Sequence, residues 1–352
     1  MNCSDILESW CQGSLENLEQ LDFLLTEELA NSTPVNVWGI TRENALEKIR
    51  ERSQLFRVVQ KDVRQLCQDL GLKQSHQILL MLWKLWLPLS WQLFQEKQNL
   101  KKPLIQGILG GQGTGKTTLA KISRLILGHL GCVTINLSLD DFYKTYVERQ
   151  QLQAIDPRLI WRGPPGTHDI QLAIEVLDKF CQKAETETVL VPRFDKSLWN
   201  GAGDRTGFEA IEKADIILFE GWFVGVIPVE EKLFNDPPEP IITEADRQFA
   251  KDMNQELKTY LPLWQKLDRL LVMLPINYQY SKQWRREAEQ KMIASGKTGM
   301  GEQEIDQFVE YFWRSLHPEL FINPLIKNSQ LVDLVIKIKA DHSLETIQTI
   351  TK

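Results

Sequence analysis

Gly110-Gly111-Gln112-Gly113-Thr114-Gly115-Lys116-Thr117 fits the pattern GxxxxGK[ST] at every fixed position. The residues before it, Leu104-Ile105-Gln106-Gly107-Ile108-Leu109, form a short apolar run that predicts a strand. Leu119 to Leu130 carries apolar residues at helical spacing. A glycine-rich turn between strand and helix is the context in which this motif cradles phosphate. Glycine lets successive backbone N–H groups turn inward, and the helix N-terminus adds its positive dipole end. Lys116 has the reach for β- and γ-phosphate oxygens, and the Thr117 hydroxyl suits Mg²⁺. Gly110 through Thr118 are the candidate ATP contacts. The guanine-reading NKxD tetrapeptide is absent, which favours ATP over GTP.

Outward from the loop, apolar runs and helical periods alternate. Val133 to Leu139, Thr188 to Val191, Ile216 to Phe219, Leu270 to Leu274 and Leu331 to Ile338 read as strands. Ile170, Ile174, Leu177 and Cys181 mark a helix, with Asp169 at its start and Lys179 and Lys183 toward its end. This alternation predicts an α/β P-loop NTPase fold, a mostly parallel sheet with helices on both faces. Two of the strands end in acid. Asp140 and Asp141 follow the second strand, and Glu220 follows Ile216-Ile217-Leu218-Phe219. Carboxylates at the C-terminal ends of such strands lie beside the phosphate loop. One can orient and deprotonate an acceptor hydroxyl, and another can hold Mg²⁺ directly or through water.

Residues 1–100 have another texture. No Lys or Arg occurs before Arg42, while Asp5, Glu8, Glu16, Glu19, Asp22, Glu27 and Glu28 do. Leu15, Leu18 and Leu25 predict a helix at the solvent boundary, and Ile49, Phe56 and Val63 a second one that Gly71 ends. A third carries Trp83, Trp86 and Trp91, and Pro88 is expected to kink or end it. The region reads as a helical N-terminal appendage packed on a kinase domain over 101–352. Asn235 to Glu244, acidic and proline-rich, reads as a surface loop.

The 352 residues hold 41 basic and 47 acidic side chains, a net charge of -6, which argues against nucleic acid as a partner. Five scattered cysteines without CxxC spacing suit a reducing compartment rather than a disulfide framework. Ile78 to Phe94, the most apolar stretch, is interrupted by Lys84 and Pro88 and is short for a membrane span. The N-terminus lacks the pattern of a secretory signal. A soluble cytoplasmic protein without membrane contact is expected, its oligomeric state left open.

Further motifs narrow the class. They are Gly-x-Gly-Lys-Thr-Thr at 113–118, Leu-Asp-Asp-Phe-Tyr at 139–143, and Arg162-Gly163-Pro164-Pro165-Gly166-Thr167-His168-Asp169. Pro192-Arg193-Phe194-Asp195-Lys196-Ser197, Gly203-Asp204-Arg205, Phe219-Glu220-Gly221-Trp222, Trp284-Arg285 and Gly296-Lys297-Thr298-Gly299-Met300 follow. In this order the chain resembles the plant and cyanobacterial type of D-glycerate 3-kinase, within the uridine kinase, pantothenate kinase and phosphoribulokinase group. It departs from the plant pattern at 312–318 and 339–343. The resemblance implies ATP-dependent phosphorylation of D-glycerate at its 3-hydroxyl, with Mg²⁺ held by Thr117 and Glu220. It implies Asp140, rather than Asp141, as the acceptor base, with Lys116 as its catalytic partner.

The resemblance also gathers Arg162, His168, Arg193, Asp195, Lys196 and Arg205 around a small anionic hydroxy acid. Arginine forks suit its carboxylate, and His168 and Asp195 could bond its hydroxyls. A lid over about 281–301 would close on ATP and bring Arg285 to the γ-phosphate. The same phosphate machinery would serve a kinase of a nucleoside, pantothenate or a sugar phosphate, or a non-catalytic ATP-binding regulator. The acceptor loops disfavour the last.

Overall fold

The computed structural model describes residues 2–30, 37–72, 75–182, 188–294 and 300–350. A six-stranded sheet has the order β2-β5-β1-β6-β7-β8. Its strands are β1 (Leu104–Gly110), β2 (Thr134–Ser138), β5 (Ile216–Gly221), β6 (Arg269–Pro275), β7 (Leu334–Ile338) and β8 (Leu344–Thr349). All pairings are parallel except β7 with β8. Every residue of β1 and β5 is buried, as expected of central strands covered on both faces. The predicted strand order of elements stands, with two differences. The closing edge strand β8 carries Glu345, Thr346 and Gln348 among its apolar residues, too polar to stand out as a strand. The segment from Thr188 is not in this sheet. Its strand β3 (Val189–Asp195) pairs antiparallel with β4 (Asp204–Ile211) as a separate hairpin. Leu190 and Phe208 are more than half exposed, so that hairpin has one face in solvent.

The helix after the phosphate loop spans Lys116–His129, and Leu119, Ile122, Ile126 and Leu127 are its buried stripe. It covers one face of the sheet together with the N-terminal helices. These are α1 (Cys3–Cys11), α2 (Leu18–Ala30), α3 (Ala45–Asp69), α4 (Ser75–Met81) and α5 (Leu87–Gln98). Ile49, Phe56 and Val63 of α3 are fully buried, two turns apart as the stripe predicted. They share a single apolar cluster with Leu104 and Ile108 of β1 and Ile336 of β7. The described N-terminal helices therefore complete the core of one sheet face. Pro88 does not end its helix. A π-helical turn over Leu82–Trp86 precedes it, Pro88 takes a first-turn position of α5, and the helix runs on to Gln98. The wider π turn before it accommodates a residue that cannot donate to the preceding turn.

The opposite face carries α8 (Ile170–Gln182), α9 (Glu244–Glu256), α12 (Glu302–Ser315) and α13 (Pro318–Leu325). Asp169 Oδ1 accepts from Leu172 N at 3.1 Å and caps α8, and Lys183 lies outside the described residues. The remaining helices are α6, the loop-following helix above, α7 (Tyr146–Ile155), α10 (Leu261–Trp264) and α11 (Tyr280–Ala294). Among the described residues no helix is long and apolar enough to cross a membrane.

Candidate active site

Strand register brings the acidic residues to the phosphate loop. Glu220 lies opposite Ile108 of β1 on one side and Ser138 of β2 on the other. Asp140 is two residues past Ser138, in a 3₁₀ turn over Leu139–Phe142. The Thr117 hydroxyl donates to Glu220 Oε1 at 2.6 Å, so the two residues expected to hold Mg²⁺ are in direct contact. Lys116 Nζ donates to Gly111 O at 3.0 Å, folding the ammonium back over the loop. Burial pulls the Lys116 pKa down, while Glu220 and Asp140 pull it up. Gly113 has φ +78°, and a Cβ there would stand 2.5 Å from Trp284 Cβ. Only glycine satisfies both the backbone and that close approach.

The two aspartates differ in what holds them. Asp141 accepts from Ser138 N at 3.0 Å, closing a capping box, and from Arg193 Nη1 at 3.2 Å. Its carboxylate maintains the turn. Asp140 Oδ2 accepts from Lys196 Nζ at 2.5 Å, and the Tyr143 hydroxyl also donates to it. Burial alone would raise the Asp140 pKa; the Lys196 ammonium and these hydrogen bonds outweigh it and hold it below the usual carboxylate range. Burial of Asp141 wins instead, and its pKa is raised.

His168 is buried, stacked on Tyr143 with ring centroids 4.4 Å apart. The Tyr260 hydroxyl accepts from the Gly166 backbone N–H at 2.9 Å and lies 2.8 Å from His168 Nδ1. When that hydroxyl donates to Nδ1, the ring proton is left on Nε2, which is buried and has no hydrogen-bond partner among the described residues. Burial pushes the His168 pKa down to about 3, so the ring is a neutral donor at physiological pH. It lies close enough to Asp140 for that carboxylate to be the main charge opposing the shift.

Each cation of the acceptor side is already engaged. Arg193 pairs with Glu209 at 2.6 Å and with Asp141. Arg205 donates to Tyr143 O at 3.0 Å and Asp169 Oδ2 at 3.3 Å. Arg162 donates to Gly201 O at 2.5 Å and lies over the rings of Tyr143 and Phe194 at 5.9 and 5.6 Å. Among the described residues Arg162 forms no ion pair with a carboxylate. Asp195 Oδ1 accepts from Ser197 N and Oγ and closes the turn after β3.

Helix α11 covers the phosphate loop. Trp284 packs on Gly113, stacks on His342 at 4.6 Å and donates from Nε1 to Ala340 O at 2.8 Å. Arg285, expected at the γ-phosphate, instead pairs with Glu289 of its own helix and lies 5.0 Å over Phe308. Residues 295–299 of the expected lid, including Gly296 to Gly299, lie outside the described residues.

Several contributors carried no sequence signal of their own. Tyr260, which is hydrogen-bonded to the His168 ring, is 92 residues away from it. Arg149 donates to Lys144 O, Ala202 O and Gly203 O, tying the β3–β4 turn to α7. Tyr143 could have been found, since it ends the Leu-Asp-Asp-Phe-Tyr motif.

The sequence and the fold both have counterparts among known proteins. An uncharacterised kinase of Schizosaccharomyces pombe, mug58, is 32% identical over 229 residues, 62% of this chain and 82% of that protein. The chain belongs to the P-loop kinases related to D-glycerate 3-kinase. The chloroplastic D-glycerate 3-kinase of Arabidopsis thaliana is 32% identical over 219 residues, covering 60% of this chain but only 46% of the plant protein. The solved structure of D-glycerate 3-kinase from Cryptococcus neoformans superimposes with a TM-score of 0.66 at 25% identity, over 74% of this chain and 96% of that one. No protein-family model matches. Kinase-family membership accounts for the phosphate loop, the parallel sheet and the strand-end acids together.

Proposed function

We propose that this kinase transfers the γ-phosphoryl group of ATP to the 3-hydroxyl of D-glycerate, giving 3-phosphoglycerate and ADP. The observation that carries the reading is one cluster beside the phosphate loop. It combines a strand-end carboxylate, Asp140, with Lys196 at 2.5 Å and with Arg162, a guanidinium lacking a carboxylate partner among the described residues. A small acid with a hydroxyl two carbons from its carboxylate spans such a site. The names of the Arabidopsis and Cryptococcus relatives support the same acceptor.

Lys116 leaves the Gly111 carbonyl for the phosphate oxygens, whose charge repays its burial. The Thr117 hydroxyl and the Glu220 carboxylate are hard oxygen donors that fit Mg²⁺. When bound, that ion neutralises charge on the β- and γ-oxygens. Asp140 orients the 3-hydroxyl and takes its proton as the oxygen bonds to the γ-phosphorus and the bridging bond to ADP breaks. A loose transition state asks for little base strength, so a carboxylate of low pKa suffices. His168 donates from Nε2 to an acceptor oxygen. Helix α11, packed on Gly113 through Trp284, excludes water that would otherwise take the phosphoryl group.

Coupled ADP formation with D-glycerate, L-glycerate, uridine and pantothenate side by side tests the reading. D-glycerate is expected to give the highest kcat/KM. A better rate with uridine or pantothenate overturns it.

A further inference from the structure

Lys196 occupies the atom that the reaction needs. Its ammonium is 2.5 Å from Asp140 Oδ2, the oxygen that would take the acceptor's proton. The lysine side chain is 60% exposed and the aspartate 25%, so the pair opens to solvent. Exposed ion pairs of this kind are weak and exchange readily. Lys196 lies just past β3, at the turn of the β3–β4 hairpin, and Asp140 is its one ionic partner among the described residues. The neighbouring cations are placed differently. Arg193 and Arg205 are bound to acidic side chains that hold the turn and the helix start. Arg162 has no carboxylate partner among the described residues and lies over Tyr143, whose hydroxyl bonds Asp140.

A carboxylate arriving at Arg162 therefore lands next to the Lys196–Asp140 pair. We propose that Lys196 is a carboxylate-operated release for the base: it pins Asp140 when no acceptor is bound, and the acceptor's own carboxylate draws it away. The inference rests on the D-glycerate reading and adds to it a reason for specificity. A neutral hydroxyl compound meets a carboxylate still capped by an ammonium, whereas an anionic hydroxy acid uncaps it on binding. Toward the proton transfer Lys196 acts through Asp140 and is a positioning residue, while its ammonium also meets the acceptor's carboxylate.

The test compares D-glycerate with glycerol, which keeps the hydroxyls and lacks the carboxylate, in the wild-type chain, Lys196→Gln and Lys196→Arg. For D-glycerate, Lys196→Gln should raise KM, and Lys196→Arg should retain most of the wild-type KM. For glycerol, Lys196→Gln should raise kcat about fivefold, the equilibrium equivalent of removing one exposed ion pair. Adding acetate to the wild-type enzyme should raise its glycerol turnover by a similar factor, and should do nothing in Lys196→Gln. If Lys196 only binds substrate, KM for D-glycerate rises while glycerol kcat and the acetate response stay flat, and the proposal fails. Absence of D-glycerate turnover in the wild-type chain overturns the acceptor reading itself, and this inference with it. Circular dichroism of the variants confirms that the fold is retained.

Discussion

Around the phosphate loop, position is set by backbone: Gly113 at φ +78°, Gly115 at +90°, a helix starting at Lys116 and the register of three parallel strands. Across the site, position is set by side chains that bind one another over long stretches of chain. Arg193 reaches Asp141 over 52 residues, Lys196 reaches Asp140 over 56, and Tyr260 reaches His168 over 92. The first half is a backbone cradle framed by neighbouring strands and fits any nucleoside triphosphate. The second is a network of mutual charge neutralisation that a substrate must partly displace. Under the proposed function, specificity would reside in which cation lacks a carboxylate partner among the described residues, here Arg162, as much as in which cations are present.

Lys116→Ala should produce the largest effect, since it strikes the half with no substitute charge. Loss of a cation facing the transferring phosphoryl group lowers turnover by about 1,000- to 100,000-fold. Steady-state ADP release on a variant shown to be folded checks this, and near-normal turnover contradicts the phosphate assignment.

Asp140→Asn against Asp141→Asn sharpens the contrast within the acceptor half. Asp140→Asn keeps the shape and removes the proton acceptor, so kcat should fall about 100- to 10,000-fold with ATP binding nearly unchanged. Asp141→Asn should be milder in kcat. It loosens the Ser138 cap and the Arg193 contact and should show instead as lower thermal stability. If Asp141→Asn is the inactive variant and Asp140→Asn the active one, their roles are exchanged.

The smallest effect tests the reading of the cations. Hydrogen bonds to a charged group contribute about 1.5 to 3 kcal/mol. Arg162→Ala should therefore raise KM for D-glycerate by roughly 10- to 100-fold with a smaller change in kcat. Arg193→Ala should raise it less, because that guanidinium is already shared between Asp141 and Glu209. Equal effects of the two substitutions would remove the distinction between the partnered and the unpartnered arginine.

The difference between the halves also explains what the chain discloses on reading. The phosphate loop, its flanking strand and helix, and Glu220 at the end of an apolar run are local patterns, and each lies where its spacing indicated. Asp140 and Asp141 were both visible, but the capping bond from Ser138 that separates them depends on turn geometry. Asp195 is legible only as part of the Pro-Arg-Phe-Asp-Lys-Ser stretch; that its Oδ1 accepts from Ser197, two residues on, depends on the turn. Arg285 matches the family motif, and its pairing with Glu289 one helical turn later is an i,i+4 contact that the motif does not disclose. The hairpin β3–β4 was only half visible, because its second strand opens on Asp204, Arg205, Thr206 and Gly207 and buries none of its residues. The N-terminal helices were legible as helices. That they complete the core of one sheet face was not, because the partner residues, such as Ile108 and Ile336, are far along the chain.

The chemistry of the product is the most direct measure of the central claim. ³¹P NMR of the reaction of the wild-type chain with ATP and D-glycerate reads both the acceptor and the position of transfer. The account predicts stoichiometric ADP and 3-phosphoglycerate as the new phosphomonoester. Formation of 2-phosphoglycerate, or ADP and inorganic phosphate without a phosphorylated acid, would contradict it.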